Sequence, residues 1–522
     1  HMEGIFRTLR QAGVGRQDLY QAWDFTTAST PNVTGRLLAI RDDAFRQLGD
    51  NTLADGRVQG SAPSFSVDSV TNFTSQQDDK VARRVEGHFT VPCYIAPTCS
   101  PPRKCASVDQ SPFNDCPLPG QFALDPTNPD ALPHQVPGQT YQANYICNIG
   151  RAAFEGHRQV RPVEYGHGLF GGAGEVNSDP QRTMAARFDM MYCATDWYGM
   201  ASADIPNAVI ALTDLSRFPM LTDRVQQGEL NFLYLARLMI HSRGFGANPA
   251  FQFANGTSVI DTHQAFYDGN SQGGIYGGTV CAVSIDVRRC VLGVPGMNYS
   301  VLLPRSSDYV AKQKVAQTDP TKVPSDPTGQ VGYSELFDTG YPDQSQRMLV
   351  LDLLQTLWDR SDPNGYANHM VSGLPHTPTH HVLLQPGYGD HQVANITAET
   401  EARTIGAHGL YQPLVARRFG PYQDPFWGIA PIPARGLPYD GSAITLFDTG
   451  PVRGANPEGT DPPPTADLPN RSGEDPHEAP RRAPWGQVQK SDFLAVGGRV
   501  TNPQPGGAPY FAWGWDGRTG LR

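Results

Sequence analysis

The five residues Gly269-Asn270-Ser271-Gln272-Gly273 set a serine hydroxyl between glycines, where the apolar stretch Ala265-Phe266-Tyr267 breaks into Gly-rich helical text. A turn that tight demands small neighbours. It lifts the serine clear of a sheet, beside the unpaired N–H groups of a helix start. A serine hydroxyl attacks poorly at neutral pH unless a base takes its proton, and that base is usually a histidine held in one tautomer by a carboxylate. Asp390 is the natural carboxylate, because it ends the apolar run HHVLLQPGYG after a Gly-Tyr-Gly turn. His391 adjoins it, but neighbours on an extended chain point to opposite sides, so His391 is not expected to pair with Asp390. Two later histidines are candidates for the base. His477 lies after the last plausible strand and directly before the last long helix, and is favoured over His408, which reads as part of a helix beyond Asp390. Upstream, Gly166-His167-Gly168-Leu169-Phe170-Gly171-Gly172 ends another apolar run. Glycines there let backbone N–H groups approach a carbonyl whose oxygen gains negative charge, and the N–H of Gln272 offers a second donor.

The surrounding text alternates strand, turn and helix. RPVEYGHGLF (161–170), DMMYCATDWYGMA (189–201), AFYDGNSQGG (265–274), RRCVLGVPG (288–296), HHVLLQPGYGD (380–390) and SAITLFDTG (442–450) read as strands. Helical stretches separate them, notably from about Asn207 to Ser242, so the pattern predicts an α/β fold with a mostly parallel sheet and helices on both faces. Before this core come the helical run VTGRLLAIRDDAFRQLG and the strand-like RRVEGHFTVPCYI. One amphipathic helix, QRMLVLDLLQTLWDR (346–360), stands out between two core strands in an interval too long for a simple crossover. EAPRRAPWGQVQKSDFLAVGG reads as one final helix. The expected organisation is an N-terminal extension packed on the core (1–84), a first core part (85–297) with a Cys/Pro-rich loop at 93–138, a cap or lid insertion (298–379), and a second core part (380–522).

Composition sets the outer limits. The 522 residues carry 41 Lys and Arg against 51 Asp and Glu, a formal charge of −10. No basic block stands out. That balance argues against nucleic acid, which needs clustered positive charge, and against an anionic membrane surface. With 39% hydrophobic and 10% aromatic residues the chain can bury a large core, and no run is long enough to span a bilayer. Gly (54) and Pro (46) approach a fifth of the chain, charged residues are only 18%, and the eight cysteines form no zinc-ligand pattern. Together these predict disulfides and a secreted or periplasmic protein, with Cys105–Cys116 and Cys281–Cys290 as candidate local pairs. His1-Met2 reads as a cloning remnant, so export would rest on a leader already removed.

The order Ser, Asp, His with an HG turn upstream resembles the α/β-hydrolase-fold serine esterases and lipases over roughly residues 85–500. TDWYGMA (195–201) is similar to the loop after that fold's next core strand, and WDFTTAS (23–29) resembles a segment of secreted bacterial lipase-like proteins. The resemblance implies Ser271 as nucleophile, Asp390 as acid and His477 as base, with backbone oxyanion donors at Leu169 and Gln272. The implied reaction is cleavage of a small-molecule or polymeric carboxylic ester through an acyl-enzyme, with no metal or organic cofactor. Tyr299, Tyr333, Phe337, Tyr341 and Trp358 in the insertion are candidates to line an apolar pocket, which points to hydrophobic or aromatic esters, polyesters included. The enzymatic alternative is an amidase, peptidase or acyltransferase with the same triad. A binding module that kept the fold without activity is the non-enzymatic one, and the intact set of triad candidates argues against it.

Overall fold

The computed structural model describes residues 1–19, 22, 27–99, 120–125, 127–128, 131–310, 333–410, 424–433, 435–452 and 459–503. Among them ten strands form one sheet: β1 (Phe65–Asn72), β2 (Val81–Pro92), β3 (Thr140–Gly150), β4 (Arg161–Gly166), β5 (Met190–Ala194), β6 (Ala265–Asn270), β7 (Val287–Gly293), β8 (His381–Gln385), β9 (His408–Gly409) and β10 (Ala443–Ile444). Their spatial order is β1-β2-β3-β5-β4-β6-β7-β8-β10-β9. The first three are antiparallel and β3 meets β5 antiparallel, whereas everything from β5 to β9 runs parallel. This is the α/β-hydrolase fold. Its middle strands are covered on both faces, so β4, β6, β7 and β8 are buried almost throughout and carry short apolar cores such as Ala265-Phe266-Tyr267 and Val382-Leu383-Leu384.

The pleat divides those strands between two cores. Tyr267, Leu292 and Leu384 point into the larger core, with Trp197, Phe232 and Tyr276. Phe266, Val291 and Leu383 point into the smaller, with Tyr192, Phe447 and Phe493. Helix Phe218–Ile240 is buried along its length except at Pro219, as expected of a helix enclosed on all sides. The helical text from Asn207 to Ser242 is two helices, Ile205–Thr213 and Phe218–Ile240, interrupted at Asp214, whose side chain caps a short 3-10 turn. The last long helix is likewise interrupted. Residues 476–478 form a 3-10 turn, Ala479–Arg482 a single helical turn, and Pro484–Phe493 a separate helix. Ala483 is extended because the following proline ring disfavours the helical conformation there.

Disulfides join Cys93 to Cys99, Cys147 to Cys193 and Cys281 to Cys290. The second staples β3 to β5 where the two cysteines face each other in register, and the third ties the helix after Ser271 to β7. The Cys105–Cys116 pair and the WDFT portion of the 23–29 segment lie outside the described residues. Strand β2 runs through residue 84, so the N-terminal stretch is continuous with the sheet. No helix among the described residues is long and apolar enough to cross a membrane.

Candidate active site

Ser271 sits between β6 and helix Gln272–Val283 with φ 61° and ψ −124°, backbone angles that cost a non-glycine residue about 1–3 kcal/mol. The surroundings over-determine that conformation. The Ser271 N–H donates to the Gly293 carbonyl on β7 at 3.0 Å, and its own carbonyl accepts from the Ile275 N–H at 2.9 Å. Both motif glycines are required by close backbone approach: a Cβ on Gly273 would collide with the Gly166 carbonyl, and one on Gly269 with the Gly273 carbonyl. The residue after the serine, Gln272, opens the helix, where the N–H groups have no partner within the helix itself.

The HG turn lies directly over this serine. A Cβ on Gly168 would stand 3.9 Å from the Ser271 Cβ. His167 is buried and locked: its Nε2 accepts the Trp197 N–H at 2.9 Å, so the ring proton sits on Nδ1, 2.8 Å from the Gly168 carbonyl. Burial lowers its pKa and keeps it neutral. The Gly168 N–H is itself committed to Glu175 Oε2 at 2.7 Å. Glu175 Oε1 accepts from Tyr165 Oη at 2.8 Å and from Arg481 Nη1 at 2.7 Å.

Asp390 and His477 meet although 87 residues separate them. The imidazole Nδ1 lies 3.0 and 2.9 Å from the two oxygens of the Asp390 carboxylate. Asp390 Oδ1 also accepts the N–H groups of Gln392 and Val393, at 2.8 and 2.9 Å. Asp475 clamps the two loops together, because its Oδ1 takes the N–H groups of both His391 and His477 at 3.1 Å. Its Oδ2 accepts from Gln392 Nε2 at 2.8 Å. Burial alone would favour a neutral imidazole, but the negative charges of Asp390, Asp475 and Asp308 outweigh it and hold the His477 pKa up at about 9. Burial in turn raises the Asp308 carboxyl to about 6, with Asp475 and Asp390 adding to the push and His477 opposing it.

Ser271 and His477 line one cavity of about 490 Å³, together with Gly168, Leu169, Asp308 and Arg481. Ser271 also borders a second, apolar cavity of about 80 Å³. Of the five insertion aromatics, Tyr299, Tyr333 and Trp358 line that apolar cavity, whereas Phe337 is buried against Tyr341. His408 is elsewhere. It opens the edge strand β9 rather than continuing the helix Asn395–Thr404, and its Nδ1 lies 2.8 Å from Tyr439 Oη. Sequence reasoning missed Glu175, Arg481, Asp475 and Asp308, whose roles depend on contacts between distant segments. Only Asp475 carried a local signal, as a capping residue before Pro476-His477.

No protein-family model matches the chain, and no curated protein does. Among solved structures it is similar to an acetyl xylan esterase from Paenibacillus sp. R4, at 11% identity over 83% of this chain and 92% of that one, with a TM-score of 0.36. Acetyl xylan esterase 1 from Thermoanaerobacterium sp. JW/SL YS485 gives 13% identity over 83% and 96%, with a TM-score of 0.38. The rice cell wall degrading esterase LipA from Xanthomonas oryzae gives 12% over 65% and 87%, with a TM-score of 0.31.

Proposed function

We propose that the protein is an extracytoplasmic serine hydrolase that cleaves carboxylic esters through an acyl-enzyme, with Ser271 as nucleophile, His477 as base and Asp390 as its orienting acid. The observation that carries this reading is the buried His477–Asp390 pair opening on the same cavity as Ser271. With Nδ1 committed to Asp390, Nε2 is the nitrogen left to take the Ser271 proton. As Ser271 Oγ bonds to the acyl carbon, the carbonyl oxygen becomes an oxyanion, which the N–H groups of Leu169 and Gln272 receive. Engagement of the Gly168 N–H by Glu175 supports Leu169, the next amide along, as the donor from that loop. The imidazolium then protonates the departing alcohol, and water repeats the sequence to release the acid and regenerate Ser271. No step calls on a metal or organic cofactor. Residues 298–379 serve as a cap, a role supported by the share of the Ser271 cavity wall they supply. The three disulfides among the described residues support an oxidising compartment, secreted or periplasmic. The apolar cavity beside Ser271 supports a small-molecule or polymeric ester with a hydrophobic portion as the substrate.

Steady-state assays on p-nitrophenyl esters and matched anilides test the proposal. Ester turnover with little anilide turnover is expected. Ser271→Ala and His477→Ala should each abolish it, whereas His408→Ala should not. Anilide turnover equal to ester turnover would favour the amidase reading, and loss on His408→Ala would overturn the assignment of the base.

A further inference from the structure

Ser271 stands where two unlike cavities meet, and the contrast between them divides the substrate. The larger, about 490 Å³, carries charged groups from Glu175, Glu478 and Arg481 along with His477, while Asp308 and Gln392 stand at the junction and line both. The smaller, about 80 Å³, is walled by Met200, Leu212, Phe218, Leu221, Tyr299 and Trp358. Leu169 and Gln272 line the smaller one beside Ser271.

We infer that the smaller cavity is the acyl subsite and admits only short, unbranched acyl groups, up to about the size of butyryl, leaving the rest of the ester in the larger cavity; this rests on the ester-hydrolase reading above. The volume decides it. The cavity of about 80 Å³ is roughly half the ~150 Å³ that takes the six carbons of benzene, which leaves room for about three carbons beyond the carbonyl. A benzoyl group or a hexanoyl chain therefore does not fit without displacing the wall.

The wall is built to resist that. Tyr299 stacks on Trp358 with ring centres 4.4 Å apart, and Trp358 meets Phe218 edge-on at 4.6 Å. Gln272 Nε2 donates to Tyr299 Oη at 2.6 Å, fixing the ring relative to the residue that follows the nucleophile. Tyr299 and Trp358 are only 4% exposed, so neither swings outward without uncovering its neighbours. Tyr299 and Trp358, anticipated as lining of an apolar pocket, close the acyl side of the site.

The test is a series of p-nitrophenyl acetate, propionate, butyrate, hexanoate, octanoate and benzoate, with kcat/KM measured for wild type and for pocket variants. Wild type should prefer a member from acetate to butyrate, with hexanoate and benzoate at least tenfold lower. Leu212→Ala and Leu221→Ala, on different helices, should each raise the hexanoate-to-butyrate ratio about tenfold or more, within the range found when a pocket gains or loses a methylene-sized group. Met200→Ala serves if either fails to fold. A profile flat or rising through octanoate overturns the acyl-size inference and leaves ester hydrolysis standing. An unchanged ratio in every folded variant does the same. Failure to turn over any ester in the series, by contrast, removes the ester-hydrolase reading and this inference with it.

Discussion

Arg481 bridges the two loops that flank Ser271: its Nη1 donates to Glu175 Oε1 at 2.7 Å, while Glu175 Oε2 accepts the Gly168 N–H. The same guanidinium pairs with Glu478, the residue next to His477, with Nε 2.7 Å from Oε2. One cation thus fixes the turn after β4 relative to the segment bearing His477. Its environment is largely enclosed, with the Arg481 and Glu175 side chains 13% and 23% exposed.

This bridge makes Glu175 a positioning residue. Glu175→Ala should lower kcat by roughly tenfold to a hundredfold, less than the roughly 10²–10³ lost with an oxyanion donor itself. KM should change little, because the loop acts on the transition state more than on the bound ester. Glu175→Gln, which keeps the hydrogen-bonding shape, should recover part of the loss. A variant with a lower melting temperature and unchanged kcat would assign the bridge to stability alone.

The glycines around Ser271 should not tolerate a methyl group. In Gly273→Ala the new carbon would run into the Gly166 carbonyl, and β4 is held in place by its ladder to β6. The expected cost is about 1–3 kcal/mol or more, the usual scale for overpacking a closed site. Urea denaturation of the variant against wild type measures it, and an unchanged midpoint would contradict the packing described.

The raised His477 pKa fixes the direction of the pH response. In its proposed role as general base His477 must be neutral, so kcat/KM should climb with pH and level off only above about 9, where the imidazole has lost its proton. Part of that shift comes from Asp308. Asp308→Asn should therefore move the rising limb to lower pH. The same pKa has a consequence for stability: the folded protein holds a proton on His477 that the unfolded chain releases at its ordinary value of 6.5. That contribution is complete below 6.5 and fades as pH rises through about 9. A limb that stays in place in Asp308→Asn would remove Asp308 from the electrostatics of the base.

The Cys147–Cys193 bridge closes a segment of 46 residues between two paired strands. The loop-entropy account gives about 4 kcal/mol for a loop of that length, so a Cys147→Ala/Cys193→Ala protein should be destabilised by up to that amount. Denaturant titrations of the two proteins under oxidising conditions decide it. Equal stability would mean that the ladder alone suffices.

What was legible in the chain follows from locality. β6, β7 and β8 announced themselves because burial on both faces gives each a short apolar core, and the Ser271 turn because backbone collisions leave glycine no substitute at 269 and 273. Asp390 could be picked out by its place at the end of β8. Two readings went astray for equally physical reasons. His408 follows a helix so closely that the two-residue strand β9 leaves no period to detect, and its existence depends on pairing with Ala443. The last helix looked continuous because its apolar spacing survives the interruption that Pro484 imposes. The Glu175–Arg481 contact links residues about 300 apart, and no pattern in either neighbourhood marks it. Nor does the amino-acid order state a cavity's volume: Tyr299, Tyr333 and Trp358 were legible as pocket lining, but not the size of the pocket they bound.

The most direct measurement is covalent labelling of the folded protein with an organophosphate, followed by peptide mapping. The account predicts one adduct, on the peptide containing Ser271, absent from Ser271→Ala and formed far more slowly by His477→Ala. A protein that stays unlabelled, or that carries the adduct on another residue while Ser271→Ala reacts as before, would contradict it.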